Sequence, residues 1–66
     1  MTAPHDSVAK LRGLIAQQMV PYYRLAAEVE LHPGRMGQML RGTLPMPVEI
    51  ADRISQALTR MASSAA

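Results

Sequence analysis

Apolar residues recur at helical spacing in four stretches of this chain, and each stretch is bounded by residues that start or stop a helix. The first stripe is Val8, Leu11, Leu14, Ile15 and Gln18-Met19, with Asp6 or Ser7 placed to cap its start. Gly13 inside it costs about 1 kcal/mol relative to alanine, which suits a close approach by a neighbouring helix. Val20-Pro21 breaks this helix, because the residue before proline avoids helical geometry. Pro21 then opens a second helix through Val29, whose inner face is Leu25, Ala26 and Val29. Leu31 breaks that phase, and an apolar residue there predicts a turn pinned into the core. A third helix spans residues 33–41. It opens on His32-Pro33, where proline loses no partner, and is stopped by Gly42 in the left-handed region. Met36, Met39 and Leu40 face inward from it, and Gly34, Arg35, Gly37, Gln38 and Arg41 face outward.

Residues 43–47, TLPMP, form an extended or turning link, with Leu44 and Met46 available to cover the core. A last helix runs from about Pro47 to Arg60 or Met61 and buries Val48, Ala51, Ile54, Leu58 and Met61, with Ile50 and Ala57 flanking. No stretch alternates long enough to make a strand. The pattern predicts one all-α domain over residues 1–66: a compact four-helix fold, possibly five-helix, with a flexible arm at 1–5 and a flexible tail at 62–66.

Residues 25–42, LAAEVELHPGRMGQMLRG, carry a resemblance. They are similar, position by position, to the helix-turn-helix of the Cro/phage-repressor family of DNA-binding proteins, and the likeness extends from Val20 to about Leu58. Leu25-Ala26 stands at the family's Leu-Ala pair, Leu31 at its apolar turn residue, and Met36 and Met39 at the buried positions of its recognition helix. Gly42 stands at the closing glycine, and Arg53-Ile54 with Ala57-Leu58 match the helix that follows. Two positions depart from the family. Glu30 stands where glycine is usual, which costs about 1 kcal/mol or more if the turn keeps its geometry, and His32 stands where Ser or Thr caps the helix. The resemblance implies an incomplete version of a five-helix repressor domain, with the edge of the last helix open to a partner.

Charge narrows the partner. The net charge is +2, and six arginines stand against one lysine, a bias that suits phosphate contacts. With no Phe or Trp and only two adjacent tyrosines, the aromatic platform that stacks single-stranded bases is missing, so duplex DNA is the better fit. The absence of cysteine removes disulfides and thiolate metal sites, and a 66-residue chain buries only about 60% of its unfolded surface, which favours dimerisation. His5 and His32 share no face and have no zinc-site spacing. Glu28, Glu30, Glu49 and Asp52 lie scattered without a nucleophile beside a base, so no catalysis is expected. No cofactor or small-molecule ligand is expected either. No apolar run reaches a membrane span and the N-terminus lacks the order of a signal peptide, so a cytoplasmic protein is expected.

The DNA-contacting set implied by outward position and by the resemblance is Tyr22, His32, Pro33, Gly34, Arg35, Gly37, Gln38, Arg41 and Thr43. Gln38 matches a base-reading glutamine of the family, Tyr22 a backbone contact, and Arg41 is expected near the phosphates. The expected function is a sequence-specific transcriptional regulator binding an inverted repeat as a homodimer. Two alternatives remain: an antitoxin-like or accessory autoregulator, and a helical protein-interaction module that does not bind DNA.

Overall fold

A computed structural model describes residues 1–64. Among them are four helices, α1 (His5–Gln18), α2 (Tyr22–Glu28), α3 (Pro33–Arg41) and α4 (Val48–Ser64), with no β-strand. The all-α four-helix reading of the sequence therefore holds. α4 packs on α1 and α2, and α3 packs on α2 and α1, so α3 and α4 lie against a shared pair of helices and contribute to one core. The core between them is apolar throughout: Leu25, Met36, Leu40, Met46, Ile54 and Leu58 are its largest fully buried side chains. Burying a side chain of this kind stabilises by about 1.5–3 kcal/mol, which matters in so small a domain. None of the helices is long and apolar enough to cross a membrane, among the described residues.

Three of the four helices end in the same way. After α1, Met19 is left-handed at φ 55°, its N–H bonds Ala16 O, and the next N–H, of Val20, bonds Ile15 O. Glu30 does the same after α2 at φ 59°, bonding Ala27 O, with Leu31 N–H reaching Ala26 O at 2.8 Å. Gly42 closes α3 at φ 91°, bonding Met39 O, with Thr43 N–H on Gln38 O at 3.0 Å. This paired arrangement satisfies carbonyls that a helix end leaves without partners, and the residue after the left-handed one packs back when it is apolar. Val20 and Leu31 do so against the core, which accounts for an apolar residue in the turn. Glu30 thus adopts the left-handed conformation at the cost expected of a non-glycine residue.

Five expectations are corrected. Residues 1–4 are not a loose arm: Ala3 is buried, its N–H donates to Met46 O at 2.7 Å, and Met1 O accepts from Val48 N–H at 2.9 Å. The Val48 N–H, at the start of α4, has no partner within the helix and takes Met1 O, while Met46 O in the preceding link takes the Ala3 N–H. α1 accordingly starts at His5, with Pro4 at its cap position and no side-chain cap from Asp6 or Ser7. Leu14 and Met19 are exposed rather than in the stripe, Met19 because the helix has already ended and turned it outward. Gly13 also meets nothing within 4 Å of where a Cβ would stand, so no helix approaches it. At the other end α4 continues through residues 62–64 of the expected tail, and residues 65 and 66 lie outside the described residues.

Candidate nucleic-acid interface

α3 is a weak helix by composition, with Pro33, Gly34 and Gly37 among its nine residues. It is held by what surrounds it. Met36, Met39 and Leu40 are buried against α1 and α2. At its start, His32 is the cap: Gly34 N–H donates to imidazole Nδ1 at 3.1 Å. A ring that accepts at Nδ1 carries its proton on Nε2, and that N–H is its remaining donor. At its end, Arg12 of α1 donates from Nη1 to Leu40 O at 3.2 Å, a cation on carbonyls where the helix dipole favours one.

Helical geometry turns the opposite face outward, with Gln38 centred on it, Gly34 and Arg41 to one side and Arg35 to the other. Gly34, Arg35, Gln38 and Arg41 are exposed. Among the described residues, the side chains of Arg35, Gln38 and Arg41 make no hydrogen bond or ion pair. No acidic residue occurs from Leu31 to Pro47. Glu28 and Glu30, at the end of α2 and in the turn, instead border α4, where they line a cleft with Arg53 and Arg60. Arg60 and Glu28 stand 3.9 Å apart with both side chains largely in solvent, so the pair adds little stability. Its consequence is electrostatic: these two carboxylates share a cleft with the α4 cations Arg53 and Arg60.

Family models, curated proteins and solved structures give no match to this chain.

The residues expected to contact DNA divide on inspection. Arg35, Gln38, Arg41 and Gly34 share the outer face of α3, and His32 and Pro33 stand exposed at its start. Tyr22 opens α2 and is about one-third exposed, at 36%. Thr43 differs, because its hydroxyl donates to Gln38 O at 3.1 Å and so its one hydrogen is committed to the helix end. Gly37 also differs. It is buried, and the groups nearest its missing Cβ all belong to Arg41: Nη1 at 3.6, Nη2 at 3.8 and Cζ at 3.9 Å. The backbone at this position, expected among the DNA contacts, is instead covered by that guanidinium.

Two features escaped the sequence. Arg12 reads as one more polar residue of an amphipathic helix, and its role as a cap depends on where α3 ends in space. The pairing of the first residues with Met46 and Val48 had a faint signal, namely the unpartnered N–H groups at the start of α4 and an apolar Ala3 small enough to fit.

Proposed function

We propose that this chain is a sequence-specific, double-stranded-DNA-binding transcriptional regulator of the Cro or phage-repressor sort, acting as a homodimer in the cytoplasm with α3 as its reading helix. The observation that carries the reading is the outer face of α3. A nine-residue helix of poor propensity, docked on one side by Met36, Met39 and Leu40 and tied at both ends, turns a glutamine and two unpaired arginines outward with no carboxylate on it. An α-helix of this kind fits the major groove of B-form DNA, where glutamine pairs with adenine and arginine with guanine or phosphate.

Symmetry of the partner follows from that of the protein. Two copies would set their α3 helices about 34 Å apart, matching half-sites about 10 bp apart in an inverted repeat. Selection of bound sequences from a random duplex pool tests this. Enrichment of an inverted repeat with that spacing is expected. A pool that stays random after repeated rounds would contradict the reading and leave a helical protein-interaction module in its place.

A further inference from the structure

We infer that Arg41 reads a guanine in the same half-site in which Gln38 reads an adenine, and that Gly37 is the seat that holds it there. The inference rests on the reading of α3 as the helix that enters the groove, and deepens it by naming what the groove must contain.

The geometry begins with four residues of helix. Arg41 is the last residue of α3, so an extended side chain would leave the helix at its C-terminal end, where phosphates flank a groove. Its guanidinium lies instead over Gly37, 3.6 to 3.9 Å from the place of the missing Cβ. It is therefore drawn back by about four residues, or about 6 Å along the axis at 1.5 Å per residue. Outside the helix's own backbone, the three heavy atoms nearest that point all belong to Arg41, so the absence of a side chain at position 37 leaves it the space. The group ends up level with the middle of α3, and base edges are met by the outward face of a helix in the groove rather than by its far end.

At that level its neighbour on the outer face is Gln38. The two residues leave the helix three positions apart, on adjacent rows of one face. Both functional groups fall within one turn, about 5.4 Å, which spans no more than about two base-pair steps. The chemistry of the two differs in a way the groove can read. A glutamine amide offers one donor and one acceptor, matching N7 and N6 of adenine, whereas a guanidinium offers only donors, matching O6 and N7 of guanine. Arg41 has no partner among the described residues, so its fork of donors is available without breaking an ion pair.

The test measures binding of the full chain to its selected operator and to every single-base variant of one half-site. The expected result is a guanine preference within about two base pairs of the adenine preference lost in Gln38→Ala. Arg41→Ala should abolish the guanine preference, a loss of about 5- to 150-fold in discrimination, and leave the adenine preference standing. Arg41→Gln should move the preferred base at that position from guanine to adenine. A methyl group just reaches contact with the guanidinium, so Gly37→Ala should keep the guanine preference, while the larger Gly37→Val should displace the group and weaken it. If Arg41→Ala weakens all operator variants alike, Arg41 grips the backbone and the inference fails, while the reading of α3 stands. If the unmodified chain binds no duplex at all, both fail together.

Discussion

His32 and Gly34 are joined across the first turn of α3, the Gly34 N–H donating to Nδ1 of the imidazole at 3.1 Å. A Cβ at position 34 would stand 3.2 Å from both Nδ1 and Cε1 of the same ring, so the glycine makes room for the histidine that caps it. His32→Ala should cost about 0.5–2 kcal/mol, and His32→Asn or His32→Ser should recover most of it. Gly34→Ala should bring no stabilisation, because the gain in helix propensity is opposed by displacement of the cap. Urea denaturation of the four variants checks this. Equal stability of His32→Ala and the parent would mean that the imidazole does not cap α3.

Gly13 gives the contrasting case. It lies inside α1 with nothing within 4 Å of a Cβ, so Gly13→Ala should stabilise the chain by about 0.8–1 kcal/mol through propensity alone. A midpoint of thermal unfolding that rises in Gly13→Ala but not in Gly34→Ala separates the two glycines. A fall in Gly13→Ala would show an unseen contact on that face of α1.

The left-handed helix ends make a matched set. Met19 and Glu30 adopt positive φ without being glycine, and Gly42 adopts it at φ 91°. Met19→Gly and Glu30→Gly should each stabilise by about 0.5–1 kcal/mol, because strain relieved in the folded chain exceeds the entropy added to the unfolded one. Gly42→Ala should destabilise by about 1–2 kcal/mol. Calorimetry of the three variants reads all of these, and opposite signs at 30 and 42 are the pattern to look for.

Met36 is fully buried beneath a helix that holds together poorly by itself. Met36→Ala should destabilise the whole domain by about 2–5 kcal/mol, in a single cooperative transition. An unchanged melting temperature would mean that α3 is not docked on α1 and α2.

Much of this was legible in the chain. The spacing of Leu25, Ala26 and Val29, then Met36, Met39 and Leu40, is enough to set two helices and the faces they bury, because helical period depends only on local geometry. Pro21, Pro33 and Gly42 mark boundaries for equally local reasons. What could not be read was tertiary. Met19 matches the phase of its stripe and still turns outward, because it is the left-handed residue that ends α1 and Val20 after it packs against the core instead. The first four residues carry no periodicity, and their order comes from one donor, Val48 N–H, and one acceptor, Met46 O, more than forty residues away. On α3, position gave the outer face correctly for Arg35, Gln38 and Arg41 but not the fold-back of Arg41 over Gly37, which is a matter of where one flexible side chain finds space.

Contact between the outer face of α3 and duplex DNA is read out by a salt titration of binding. Equilibrium binding of the full chain to a selected or mixed-sequence duplex would be followed between about 50 and 200 mM salt, where each phosphate contact contributes a slope of about −0.9 in log K against log salt. A linear fall whose slope corresponds to several contacts is expected, with tighter binding to the selected inverted repeat than to mixed sequence at every salt concentration. No measurable association with either duplex at the lowest salt would contradict it.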